Sequence, residues 1–309
     1  MGDFEGNFKK LKKSFKKAVK ERCDFFISPE LALTGYPPGD LLLRDDFLEK
    51  IDFFKKKMIS ITAKSKTILV LSIPEQKSVL YNSLILIKSG KIIDRFIKRK
   101  LPNYGVFDER RYFSSKDNKS EFFHYKNMKI KFFICEDMWD NEHLKSQTTP
   151  VDLIISINAS PYEISKDNLR KKIARKNAKF FNSKLIYCNS VGSQDDLIFD
   201  GGSFCINEKG QNIEQFSFFK EQEKTIDLNQ KIKSTKVVDD YKNLYKALKL
   251  SLLNYVKNNN FSSVILGLSG GVDSALCLVI AVNSLGAENV TPYFLPTKYS
   301  SEQSRTDAK

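Results

Sequence analysis

A chain of 309 residues with 41% apolar composition and 24 Phe can bury a sizeable core, which excludes a disordered tail or a fibrous repeat. Its net charge of +14 comes from 51 basic and 37 acidic residues, but lysine dominates the basic set and falls on solvated helix faces, so no nucleic-acid-binding module is read from it. The five cysteines lack C-x-x-C spacing, no apolar run is long enough to span a membrane, and MGDFEGNFKK has no signal-peptide core, so disulfide, zinc and membrane classes are set aside in favour of a reducing cytoplasm.

Periodicity predicts helices over 7–22, 45–62 and 165–182, with Phe8, Leu11, Phe15 and Val19 as the apolar stripe of the first. Strands are expected at 24–30, 67–75, 83–98, 128–137, 151–160, 183–192 and 201–213, the third folded into a hairpin at Ser89-Gly90. This alternation gives a layered α/β domain over 1–225, followed by a polar, aperiodic linker over 226–240. A second unit fills 241–309: an amphipathic helix, the strand SSVILGLSG, a helix ended by Gly286 and the strand NVTPYFLP. Only this one βαβ unit fits before the sequence stops, and its parallel strands are expected to be poorly covered.

Three strand ends each deliver one reactive side chain: Glu30 in FFISPE, Lys98 in FIKRK and Cys135 in FFICED. A thiol needs a base to become a good nucleophile, and an ammonium can hold the oxyanion formed when sulfur attacks an amide carbon. Each also has a plain structural reading, as an inert buried thiol, a member of a basic cluster and a loop cap. His143 could form a Cys-His dyad instead, although NEHLK reads as a polar loop.

The segments around these residues resemble the nitrilase-type amidases, whose signature is a Glu, Lys, Cys triad. PELALTGYPPGDLL, LPNYGVFDERRYF, ICEDMW and FDGGSF are more specifically similar, in order, to the amidase half of the glutamine-dependent NAD synthetase family. The resemblance implies an α-β-β-α sandwich with Cys135 as nucleophile, Glu30 as general base and Lys98 as transition-state stabiliser. It places glutamine contacts at Tyr104, Glu136, Trp139, Ser160 and Lys166, with Glu136 suited to the α-ammonium. Members of the family carry a strand ahead of the segment matching GDFEGN, so a gap is expected in the amidase sheet.

In LGLSGGVDSA two glycines let backbone N–H groups approach an anion, Ser269 and Ser274 add hydroxyls, and a helix start points its positive end at the site. The lysine of a G-x-x-x-x-G-K-[ST] loop is absent. The stretch resembles the pyrophosphate loop of ATP pyrophosphatases, which implies ATP contacts at Gly267, Ser269, Gly270, Gly271, Val272, Asp273 and Ser274, with Asp273 also toward Mg²⁺. The fold implied for 241–309 is the start of a doubly wound, adenine nucleotide α-hydrolase-like parallel sheet, truncated before completion. The whole reaction implied is ATP-dependent activation of nicotinic acid adenine dinucleotide and its amidation by glutamine-derived ammonia, in a homo-oligomer. Such a fragment is expected to hydrolyse glutamine at most; a stand-alone amidase for another amide and an inactive fragment are the alternatives.

Overall fold

The computed structural model describes residues 1–116, 121–140, 150–234 and 239–308. The first helix, α1 (Phe4–Lys20), starts at Asp3, whose side chain accepts the Gly6 N–H, and the second, α2 (Asp45–Ile61), has Asp45 and Asp46 at its positive end. Between and after them run β1 (Phe25–Ile27), β2 (Ile68–Gln76), β3 (Leu80–Lys88) and β4 (Lys91–Ile97), which form one sheet in that order. Ser89 and Gly90 both take positive φ, the conformation a two-residue hairpin needs, so the expected turn is where the sequence put it.

The second sheet has the order β12-β11-β8-β7-β6-β5, built from β5 (Phe122–Tyr125), β6 (Met128–Ile134), β7 (Leu153–Asn158), β8 (Lys184–Asn189), β11 (Phe204–Ile206) and β12 (Asn212–Gln215). Helix α3 (Lys166–Phe181) joins β7 to β8, and a separate hairpin, β9 (Val191–Gln194) and β10 (Leu197–Asp200), lies between β8 and β11. The expected strand over 201–213 is therefore two strands, and those expected at 128–137 and 151–160 stop at Ile134 and Asn158.

Strand alternation builds the layers. Leu69, Leu71, Ile73, Ile85 and Ile87 face α1 and α2, while their neighbours Ile68, Val70, Leu84 and Leu86 pack against Ile130, Phe132, Ile134, Leu153, Ile155 and Ile157 of the second sheet. On the far side Phe133, Ile154 and Leu185 meet Ala174, Ala178 and Phe181 of α3. The order helices, sheet, sheet, helix is the α-β-β-α sandwich.

The outer edge of β1 has no strand partner among the described residues. A cavity of about 1680 Å³ runs along it, bordered by α1, β8 and residues 221–229, and reaches Glu30 and Tyr36.

Residues 226–234 continue as turns and extended chain, and 235–238 of the expected linker lie outside the described residues. Helix α4 (Asp240–Asn258) packs against the β9-β10 hairpin, and Ser165 Oγ donates to Asp240 Oδ2 at 2.7 Å. Then β13 (Val264–Gly267) pairs in parallel with β14 (Val290–Tyr293) across α5 (Val272–Leu285), and a short α6 (Glu302–Asp307) follows. Ile265 and Tyr293 on the two strands stay exposed, as do Val272, Leu276 and Val279 on α5. Among the described residues, no helix is long and apolar enough to cross a membrane.

Candidate active site

Topology brings the reactive side chains to one end of the sandwich. Strand β2 runs parallel to β1 and antiparallel to β3, and β3 runs antiparallel to β4, so β1, β2 and β4 point the same way. Glu30 follows β1 and Lys98 follows β4, while Asn82 lies opposite Pro74 near the end of β2. In the second sheet, parallel β6 and β7 deliver Cys135 and the Ala159-Ser160 pair. One hydrogen bond ties the two sheets' ends together, since the Ala159 N–H donates to Glu30 Oε2 at 3.2 Å.

The strand carrying Cys135 ends where it does because Cys135 takes φ +47°, a left-handed conformation that a ladder residue cannot adopt. A short 3₁₀ helix, Cys135–Met138, begins at that residue. Asp137 clamps this elbow: its Oδ1 accepts the N–H groups of Arg99 and Lys100 at 3.0 and 2.8 Å, and its Oδ2 accepts that of Ile134 at 3.3 Å. The segments bearing Lys98 and Cys135 are thereby locked to each other. Strain of this kind, held by surrounding bonds, is characteristic of functional sites.

Lys98, Glu30 and Glu109 form a buried charge cluster, none of them more than 5% exposed. Lys98 Nζ donates to Glu30 Oε1 at 2.8 Å and to Glu109 Oε1 at 2.6 Å. Burial alone would lower the Lys98 ammonium, but Glu109 and Glu30 outweigh it and hold the group well above the ordinary lysine value. Burial raises Glu109 to about 7 against the pull of Lys98. Glu30 Oε1 also accepts from Asn82 Nδ2 at 2.8 Å, and Ser72 Oγ, donating to Asn82 Oδ1 at 3.0 Å, fixes which way that amide faces. Glu109 Oε1 accepts from the Tyr36 hydroxyl at 2.7 Å.

The Cys135 thiol is buried, and burial, reinforced by the negative charge of Glu30, pushes it well above the usual thiol range, with Lys98 opposing. It is a neutral thiol near pH 7, and a neutral thiol becomes a good nucleophile only with a base to take its proton. Glu109, Tyr36 and Asn82 were not singled out from the sequence. Glu109 sits inside LPNYGVFDERRYF, and its signal was the clustering of acids in a segment already marked; Asn82 carries no comparable signal.

The residues expected to contact substrate differ in burial. The Tyr104 hydroxyl donates to Glu136 Oε1 and Oε2, both at 3.1 Å, and burial, then Glu136, raises the phenol. Tyr104 is 59% exposed, Glu136 and Trp139 are half-buried on the 3₁₀ helix and its cap, and Ser160 is buried. Lys166, at the start of α3, is ion-paired with Glu163. His143 lies outside the described residues.

The glycine-rich loop forms as a unit between β13 and α5. The Ser274 hydroxyl accepts the Ser269 N–H at 3.2 Å and donates to the Gly271 carbonyl at 2.9 Å, and Ser269 Oγ accepts the Gly271 N–H at 3.2 Å. Gly270 has φ +80°, and a Cβ there would lie 2.6 Å from the Ser304 carbonyl oxygen, so only glycine fits. Gly267 ends β13, and Val272, Asp273 and Ser274 form the first turn of α5, whose N–H groups lack intrahelical partners. Among the described residues no three or more His, Cys, Asp or Glu side chains come together to hold a metal. Asp273 therefore offers a single exposed carboxylate, which suits a Mg²⁺ whose other ligands are phosphate oxygens and water, and not an all-protein site.

The family model described as Carbon-nitrogen hydrolase matches residues 1–236, and that described as NAD synthase matches residues 244–309. A glutamine-dependent NAD(+) synthetase of Synechocystis sp. is 40% identical over 335 residues, covering 100% of this chain and 60% of that protein. The corresponding protein of Acinetobacter baylyi is 36% identical over 317 residues, covering 100% and 58%. A solved structure of the glutamine-dependent NAD+ synthetase of Acinetobacter baumannii with adenosine diphosphate superposes with a TM-score of 0.89 at 35% identity, over 100% of this chain and 60% of that one. An amidase of the nitrilase superfamily from Nesterenkonia, at 19% identity and a TM-score of 0.61, shares the fold over 70% of this chain and 82% of its own. The chain spans about 60% of the length of the synthetases it matches.

Proposed function

The chain belongs to the carbon-nitrogen hydrolase family, and on that premise we propose that it hydrolyses the side-chain amide of glutamine as part of a glutamine-dependent NAD synthetase. The observation that carries this reading is the Lys98 ammonium bridging two buried carboxylates at the strand ends that also present Cys135. Cys135 Sγ attacks the amide carbon while its proton passes to Glu30. Lys98 stabilises the oxyanion, and Glu30 returns the proton to departing ammonia. Water, deprotonated by Glu30, then releases glutamate from the thioester. Glu136 receives the α-ammonium of glutamine, with Tyr104 and Trp139 closing the mouth and Ser160 and Lys166 facing the α-carboxylate.

In the same reading 1–225 is the amidase domain, 226–240 the linker and 241–309 the ATP-binding part, and the cavity beside β1 suits an additional strand. The loop from Gly267 to Ser274 holds the pyrophosphate of ATP, and Asp273 would hold Mg²⁺, whose charge would offset that of the phosphates. Ammonia then amidates ATP-activated nicotinic acid adenine dinucleotide. The five free cysteines suit a reducing cytoplasm, and a homo-oligomer is the expected assembly.

The test is ammonia release by the purified chain from a substrate panel. Glutamine should be hydrolysed, and simple nitriles and N-carbamoyl amino acids ignored; preference for a nitrile or carbamoyl compound would replace glutamine with another amide-like substrate. A second outcome concerns pH. If the ionised Glu109 holds Lys98 for catalysis, glutamine hydrolysis rises as pH climbs through about 7. Glu109→Gln should remove that inflection; a profile unchanged by the substitution would separate Glu109 from the reaction.

A further inference from the structure

Ser160 is held by a buried polar network that no catalytic role has yet used. Its N–H donates to Asn189 Oδ1 at 2.9 Å, and its carbonyl accepts from Arg170 Nη2 at 2.8 Å. Its hydroxyl oxygen accepts from Arg170 Nε at 3.2 Å. With Arg170 donating to that oxygen, the hydroxyl proton points away from the guanidinium.

Arg170 is fixed in turn. Nη1 donates to both carboxylate oxygens of Asp200 at 2.8 Å, and Nη2 also reaches the Pro161 carbonyl at 2.8 Å. Asn189 Nδ2 closes the loop of contacts on Asp200 Oδ1 at 3.3 Å and on the Gly201 carbonyl at 3.1 Å. Arg170 and Asp200 are 1% and 2% exposed, so their charges cancel locally and neither is available to a ligand. The Tyr187 hydroxyl is buried beside the Ser160 side chain.

We propose that Arg170, braced by Asp200 and Asn189, is a positioning residue that aims the Ser160 hydroxyl at the carboxylate of an amino-acid amide, and so sets selectivity for such substrates over simple amides. A hydroxyl donor suits a carboxylate and does not suit an ammonium. Arg170 lies four residues after Lys166 on α3, so the anchored guanidinium also fixes the helical turn that carries that lysine. The inference rests on the glutamine reading and deepens it. Lysine at position 170 can keep the charge pairing with Asp200 but cannot reach Ser160 and Asp200 together as a planar fork does.

The experiment compares alkylation of Cys135 by iodoacetamide, which carries no amino-acid end, with alkylation by a glutamine-like chloroketone. In Arg170→Lys the chloroketone reaction and the KM for glutamine should worsen on the order of tenfold, with kcat changed far less. The iodoacetamide rate should stay within about twofold. Ser160→Ala should reproduce the loss, and the double variant should be no worse than the weaker single one. Equal losses with both reagents, or additive losses in the double variant, would overturn the assignment. If Arg170→Lys does not fold, Ser160→Ala decides alone, and an unchanged chloroketone rate overturns it. A wild-type chain that does not prefer the chloroketone would instead fail the glutamine reading itself.

Discussion

Alanine at position 135 is expected to lower glutamine hydrolysis by a factor on the order of 10⁴ or more, because the covalent route disappears with its only nucleophile. The surroundings explain why so much depends on one atom. Burial and the adjacent Glu30 keep the thiol protonated, so it is inert until a substrate carbon and a proton acceptor are both in place. Glu30 is that acceptor in the proposed mechanism, and its carboxylate is oriented by three donors, Lys98 Nζ, Asn82 Nδ2 and the Ala159 N–H. Peptide mapping after treatment with a glutamine-like electrophile gives an independent readout. Cys277 is exposed and will also react, so glutamine protection is the discriminating control and should be confined to Cys135. Hydrolysis by Cys135→Ala within about tenfold of wild type would remove the thiol from the mechanism.

The parts of this site legible in the sequence are those that local pattern could mark. Glu30, Lys98 and Cys135 each follow an apolar run, and a strand that ends in a reactive residue is visible one segment at a time. The turn chemistry of Ser89-Gly90 and of the loop from Ser269 to Gly271 was visible for the same reason. What escaped depends on separation along the chain. Asn82 reaches Glu30 across 52 positions, and Ala159 reaches it across 129. Asp200 meets Arg170 from the β9-β10 hairpin, where Asp195 adopts φ +49° and lets the two strands pair. The strand over 128–137 was extended too far because hydropathy continues through Cys135 whereas the backbone does not. A left-handed φ at a cysteine is imposed by tertiary bonds such as those of Asp137, and composition does not encode it.

Methionine in place of Lys98 is expected to destabilise the fold by about 3–5 kcal/mol near neutral pH, in addition to abolishing hydrolysis. The ammonium is fully buried between Glu30 Oε1 at 2.8 Å and Glu109 Oε1 at 2.6 Å, so its removal leaves two carboxylates sharing a buried space without a counter-charge between them. Like charges in that position cannot both stay ionised, and one of them must take up a proton or the domain must open. The direction of the pH dependence follows. Glu109 already sits at about 7 in the folded chain against an ordinary value of 4.5, and loss of Lys98 raises it further. A carboxyl whose folded value is raised contributes its full stability below the unfolded value and loses it as pH rises toward the folded one. The penalty of Lys98→Met should therefore be small at about pH 5 and grow toward about pH 8, which thermal unfolding of both proteins across that range would measure. Glu109→Gln added to Lys98→Met removes one of the opposed charges and should restore much of the lost stability. A penalty independent of pH, or no rescue by Glu109→Gln, would mean that Lys98 stabilises the domain through packing alone and that the three charges do not act as one unit.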